Sequence, residues 1–279
     1  MINQFKTLLL LVGLTALLLY VGQLLGGSTG VIIAFAFALI LNVGSYWFSD
    51  KIVLGMYNAK QSHDTRLNRL VHECAHLAGV PVPKVYIIHQ ATPNAFATGR
   101  NPHNSAVAAT TGILELLNDD ELKGVIAHEI AHIKNRDTLI QTIAATIAGA
   151  IAYIASMAQW AAIFGGFGGN DRDNGGGIIQ FLVLIIVVPL AATLLQLALS
   201  RSREFIADET AAKTIHSGLG LASALEKLER GQGKSQFQGN DATASLFIVN
   251  PFRAAGIKQL FSTHPDTKER IRRLRSKTF

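Results

Sequence analysis

The sequence predicts a mainly α-helical, α+β membrane protein, with four transmembrane helices and a cytoplasmic domain carrying a small β-sheet. Three observations carry this. The 279 residues are 49% apolar and only 16% charged, and no charge falls between Lys6 and Asp50, Asp137 and Asp171, or Asp173 and Arg201. Windows of that length hold spans of about 20 apolar residues each. The charged residues gather instead in two segments, 51–138 and 200–279, which carry amphipathic helical patterns and β-branched runs.

Residues 1–50 read as a transmembrane hairpin, with spans of roughly 8–25 and 31–48 joined by the turn "GGSTG". A cleavable signal peptide is the other reading of the first span. Its apolar run is long for that, and a second span follows at once. Residues 139–199 read as a second hairpin, with spans of roughly 139–164 and 178–199 around the polar loop "GGFGGNDRDNGGG". Pro189 is tolerated in a membrane helix. Buried core helices are the alternative here, and the charge-free pairing argues against them.

Lys6, Lys51, Lys60, Lys134, Arg136, Arg201 and Arg203 fall on one side of such a four-span chain, and only Arg172 on the other. The positive-inside rule then puts both termini and both polar segments in the cytoplasm, at the inner membrane. The single Cys74 permits no intramolecular disulfide, as suits a reducing compartment. The net charge of +6 is largely these flanking residues, so the bilayer is the expected partner. No nucleic-acid-binding motif accompanies it.

Two pentapeptides fit H-E-x-x-H, "HECAH" at 72–76 and "HEIAH" at 128–132. On a helix this pattern sets two histidines one turn apart, as zinc requires, with a glutamate beside them. In the first, Leu67, Leu70, Val71, Cys74, Leu77 and Ala78 form the apolar stripe, and His72 and His76 point away from it. In the second, Asn118 three residues before Glu121 starts a helix as a capping box does. Leu122, Val125, Ile126, Ile130 and Ile133 make its stripe, and Glu129 lies inside that arc. A carboxylate there is costly unless compensated, and a metal with an activated water compensates it.

Catalytic zinc needs a third protein ligand and an open fourth position. Glu204, in "SRSREFIADE", meets that need by topology. A membrane hairpin between His132 and Glu204 returns the chain to the face it left, placing both within on the order of 10 Å of one bilayer surface. Asp208, one turn on, can accept the second N–H of a zinc-bound histidine. Nothing comparable is brought to His72 and His76. The expected metal ligands are therefore His128, His132 and Glu204, with one Zn2+ per chain. His63, His89, His103 and His216 read as surface residues.

The stretches "TPNAFATGRNP", "AVAATTGILELL", "HEIAHIKNRD", "SRSREFIADE" and "FSTHPDTKERI" occur in this order. Together they resemble the HtpX-type membrane zinc metalloproteases, relatives of the membrane proteases that trim prenylated CAAX proteins. The resemblance runs over nearly the whole chain. It implies a gluzincin endopeptidase with a zincin-like catalytic domain, His128 and His132 as zinc histidines, Glu204 as third ligand and Glu129 as general base. It also implies work in the quality control of damaged or misfolded membrane proteins under stress. It assigns nothing to His72, Glu73 or His76.

In the expected chemistry Glu129 takes a proton from the attacking water and delivers it to the leaving amine. His264, before a proline suited to a first helical turn, is the candidate to stabilise the transition state; a plain capping role is the alternative. Arg270 either steers a substrate carbonyl or holds a carboxylate near the zinc. A protein or peptide substrate is expected to add as a strand. "KVYIIHQ" and "SAVAATT" read as strands, with "PNAFATG" between them either an edge near the zinc, where Asn94 meets the peptide, or a plain hairpin connection. Two rival functions are weighed. An intramembrane-cleaving zinc protease does not suit a motif followed directly by Lys134, Arg136 and Asp137. A non-catalytic zinc-stabilised scaffold does not suit a one-cysteine chain.

Overall fold

The computed structural model describes residues 2–141, 203–231, 248 and 265–279. The expected spans at 139–164 (beyond residue 141) and 178–199 lie outside the described residues, as does His264.

Helix α1 (Ile2–Met56) is two helices joined where Gly26 and Gly27 leave helical geometry, Gly27 at φ 56°. The break reverses the chain. Asn42 Nδ2 donates to Thr15 Oγ1 at 3.1 Å across 27 residues, a separation of roughly 40 Å along a straight helix. Glycine makes the close approach possible: a Cβ on Gly22 would strike the Gly30 carbonyl oxygen, and one on Gly30 the Gly22 carbonyl oxygen. Gly26–Gly44 is long and apolar enough to cross a membrane, while the apolar stretch described in the first arm, Thr15–Leu24, is shorter. The second arm turns Ile32, Ile33 and Ile40 outward, at 70%, 64% and 68% exposure. A soluble surface rarely shows such a run, and lipid would cover it.

Next come β1 (Lys60–Gln61), α2 (Thr65–Ala78), β2 (Lys84–Ile88), β3 (Ala95–Asn101), β4 (Asn104–Thr110), α3 (Thr111–Leu116) and α4 (Asp119–Lys134). A helix α5 begins at residue 137. Beyond the undescribed stretch lie α6 (residues 203–215), α7 (Leu219–Gly231) and α8 (Thr267–Ser276). The four strands are ordered β1-β2-β4-β3, with β2 and β4 parallel and the other two pairings antiparallel.

The stretch "PNAFATG" is thus no plain connection. Ala95–Asn101 is a strand at the sheet edge, in a hairpin with β4 turned at Pro102 and His103. Its alternation explains why. Ala95 and Ala97 join Val107 and Ala109 in the core shared with the helices. Phe96 joins Ala106 and Ala108 on the other face, against Val53, Leu54 and Tyr57 from the end of α1. The sheet therefore sits between the end of α1 and the helical core.

The core on the helical face runs from Leu67 to Leu274 and draws on both polar segments. Helix α4 is central to it. The capping box is present: Asn118 Oδ1 accepts from Glu121 N at 2.9 Å, and Asn118 N donates to Glu121 Oε2 at 3.0 Å. Helices α4 and α7 meet backbone to backbone. A Cβ on Gly124 would collide with Leu221 N, and one on Gly220 with the Asp120 carbonyl. The buried Glu121 then takes Ser223 Oγ at 2.7 Å and Lys227 Nζ at 2.8 Å. Because this contact is overpacked by any larger residue, Gly124→Leu is expected to cost about 1–3 kcal/mol. Chemical denaturation of the detergent-solubilised protein measures it, and an unchanged midpoint would refute the close packing.

Candidate metal centre

Helix α4 presents His128, Glu129 and His132 to the interior, at 1%, 2% and 4% exposure. Helix α6 brings Glu204 and Asp208 against them, both buried. The two histidine Nε2 atoms stand 3.2 Å apart. Glu204 closes the triangle, with Oε2 at 3.5 Å from His128 Nε2 and Oε1 at 3.4 Å from His132 Nε2. Tetrahedral zinc with bonds of about 2.0–2.1 Å sets neighbouring ligand atoms about 3.3 Å apart. All three separations match that edge, so this donor set fits a zinc-sized ion. Among the described residues it is the one group of three or more histidine, cysteine or carboxylate side chains so arranged.

The far nitrogens are held as well. Asp208 Oδ1 lies 2.9 Å from His128 Nδ1, an ion-pair contact off the ideal hydrogen-bond direction. Asp137 Oδ2 lies 3.3 Å from His132 Nδ1. In the neutral rings a carboxylate behind each favours the Nδ1–H tautomer, with the Nε2 lone pair toward the centre. Asp137 escapes a sequence reading that takes it for a flanking charge. Its position five residues after His132, just past the end of α4, is the signal that points to it.

Arg270, from α8, lies on the same cluster. It grips Asp208 with two hydrogen bonds, Nε to Oδ2 at 2.8 Å and Nη2 to Oδ1 at 2.7 Å. Its Nη1 stands 3.3 Å from Glu204 Oε2 and donates to the Ile248 carbonyl at 3.1 Å. Of its two expected roles, the structure shows the hold on a carboxylate. Asn94 is buried beside the edge strand, its backbone N–H donating to Thr110 Oγ1 at 2.8 Å and its side-chain Oδ1 accepting from Ala95 N at 3.1 Å. Arg203, another flanking charge in the sequence, is also buried.

Electrostatics follow from this crowding. Burial alone would lower the histidines, but the carboxylates behind and between them prevail. Asp137 and Glu204 push His132 up to about 10, and Asp208 and Glu204 raise His128. Burial raises the Glu129 carboxyl above its ordinary range, against the opposing pull of His128 and His132. Burial would also raise Asp208, yet Arg270 outweighs it and holds that carboxyl low.

The other H-E-x-x-H lies elsewhere. On α2, His72 and His76 are exposed, and Glu73 is taken by Lys123 Nζ at 2.6 Å. Cys74 between them is fully buried in the core, its thiol pushed by burial up to about 12.

Comparison with known proteins agrees with this geometry. The profile described as Peptidase family M48 matches residues 61–278. A protein named "Protease HtpX homolog" from Syntrophobacter fumaroxidans is 50% identical, covering 98% of this chain and 99% of its own. One of the same name from Pyrococcus furiosus is 54% identical over 97% of this chain and 94% of its own. "Protease HtpX" of Legionella pneumophila is 50% identical over 99% of each. Among solved structures, the fold is similar to S. mikatae Ste24p, with a TM-score of 0.52 at 19% identity over 86% of this chain and 57% of that one. The chain belongs to peptidase family M48 and is a membrane-bound metallopeptidase.

Proposed function

We propose that the chain is a zinc-dependent endopeptidase that cuts membrane proteins at the cytoplasmic face of the inner membrane, in the quality control of damaged or misfolded ones. The observation that carries the zinc assignment is the triangle of His128, His132 and Glu204, whose sides have the length of a zinc tetrahedron's edges. The cytoplasmic face follows from the positive-inside pattern, given four spans in two hairpins, with 51–138 and 200–279 forming one catalytic domain. Quality control is the role implied by the resemblance to HtpX-type proteases.

A bound zinc supplies polarisation of the scissile carbonyl and of a water molecule near neutral pH. The chain's own residues do the rest. With a metal bound, Asp208 and Asp137 would face the Nδ1 protons and leave both Nε2 lone pairs to the ion. Glu129, the general base in this reading, sits in a dry site that favours its protonated form. It therefore accepts a proton readily and passes it to the leaving amine. Arg270 keeps Asp208 ionised and the triangle in place. The substrate lies as an extended strand along the outer edge of β3, with Asn94 next to it. His264 is assigned to the transition-state oxyanion.

Glu129→Gln is expected to lower peptide cleavage by about 10²–10⁴-fold while zinc content stays near one per chain. Continued cleavage by that variant, measured on a membrane substrate, would exclude the mechanism. Replacing His128 or Glu204 by Ala should remove zinc on elemental analysis, and His72→Ala should not. The reverse pattern would move the site to α2.

Protons compete with metal here. His132, raised to about 10 without metal, is protonated at pH 7. Its contribution to the stability of the metal-free fold is full below the unfolded value of 6.5 and is lost as pH rises through about 10. Zinc needs the neutral ring, so loading at pH 7 should release a proton. Calorimetry in buffers of different ionisation heat reads this directly, and a heat independent of buffer would contradict it.

Arg270→Gln leaves Asp208 buried without its counter-charge. The expected cost is about 3–5 kcal/mol, read as a lowered melting temperature of the zinc-free protein. An unchanged melting temperature would mean that the pair carries no net stability.

A further inference from the structure

Ile248 is bound at both of its backbone atoms by the candidate site. Its N–H donates to the Ala95 carbonyl at 3.3 Å, and its carbonyl accepts from Arg270 Nη1 at 3.1 Å. Its side chain is 1% exposed and belongs to the helical-face core. Ala95 lies on β3, the edge of the sheet. The Asn94 carbonyl accepts from Thr110 N, toward β4. In an extended strand the carbonyl of the next residue turns the other way, so the Ala95 oxygen faces the open edge.

The place that Ile248 takes is therefore the one an added strand would occupy. It is also close to the chemistry. The Ala97 backbone amide donates to Glu129, and Ala97 is two residues, about 7 Å, along the same edge. Arg270 Nη1 joins the Ile248 carbonyl to Glu204 Oε2, 3.3 Å away on the other side. An acceptor for the N–H on a sheet edge, a cationic donor for the carbonyl and apolar packing around the side chain together recognise one residue of an extended peptide.

We propose that the position beside Ala95 on the outer edge of β3 is a binding subsite for a branched aliphatic residue of an extended peptide substrate, and that the chain's own Ile248 fills it in the free protein. The subsite rests on the peptidase reading given above. The contact on Ala95 is long for an N–H···O bond and so is readily exchanged for a peptide's own. A substrate must displace Ile248, so its apparent affinity is reduced by the fraction of molecules in which the subsite is open.

The test uses the full-length, zinc-loaded chain in detergent carrying Glu129→Gln, which separates binding from turnover. A fluorescent nonapeptide copying residues 244–252 (ASLFIVNPF) is titrated by anisotropy, with and without Ile248→Ala. The apparent Kd should fall about tenfold or more when Ile248 is truncated, because the competing side chain has lost its hold. Ile248→Pro, which removes the N–H that reaches Ala95, should act in the same direction and covers the case in which the alanine variant misfolds. A peptide with Asp in place of its Ile should bind at least tenfold more weakly. An equal Kd in the parent and both variants overturns the proposal, as does weaker binding in the variants or indifference to the Asp peptide. If the chain with Glu129 intact shows no peptidase activity but the Kd shift appears, the catalytic reading fails and the subsite stands. Turnover with no Kd shift has the opposite meaning.

Discussion

A cluster of charge buried where α4, α6 and α8 meet is the constraint on which the rest of the structure depends. Glu129, Asp137, Glu204 and Asp208 are all shut away from water, beside His128 and His132 and the cations Arg203 and Arg270. Isolated, each ionised group would cost several kcal/mol to bury. Together they are tolerable only in a fixed arrangement, and the fold is organised to hold it. Helix α4 is pinned by its capping box at one end and by the Gly124–Gly220 contact with α7 in its first half. Helix α8 is drawn into the interior by an arginine, the largest fully buried side chain among the described residues. The same electrostatics that invite a divalent cation also invite protons in its absence, so metal occupancy and acidity are linked.

Much of this was legible in the sequence, because its signals are local or topological. Helix α4 announces itself through Asn118 and Glu121, and the exposure of His72 and His76 follows from the stripe on α2. The nearness of Glu204 to His132 is an expectation from the chain's topology, and the two side chains stand 3.4 Å apart. What was not legible depends on contacts that no pattern encodes. Residues 95–101 carry alanines, a threonine and a glycine, so they lack the β-branched weight that marks a strand. They form one because Ala95 and Ala97 let the sheet lie close on the helical core while Phe96 packs against the end of α1. Asp137 follows the motif among Lys134 and Arg136, and composition cannot separate a ring-orienting carboxylate from a flanking charge. Arg270 offered two roles, and only three-dimensional proximity to Asp208 and Glu204 selects between them.

The two H-E-x-x-H helices show what the pentapeptide leaves out. Both are well-formed helices, and both carry the histidines one turn apart. On α2 the glutamate reaches sideways to Lys123 and the rings face water. On α4 the neighbours bring Glu204 against both rings, a carboxylate behind each ring and a dry surrounding for Glu129. The chemistry belongs to these neighbours, which come from segments about 70–140 residues further along as well as from the helix itself.

The seating of the sheet on the end of α1 has a mechanical meaning. Val53, Leu54 and Tyr57 continue the helix that contains the apolar stretch Gly26–Gly44 and pack directly on Phe96, Ala106 and Ala108. Val53 lies only nine positions beyond the last residue of that stretch, at most roughly 14 Å along a helix, with one departure from helical geometry at Phe48. The sheet is therefore kept close to that stretch. Under the function proposed above, the edge of β3 then rides at a limited height over that apolar stretch, and a chain is within reach only if its extended portion comes to that height.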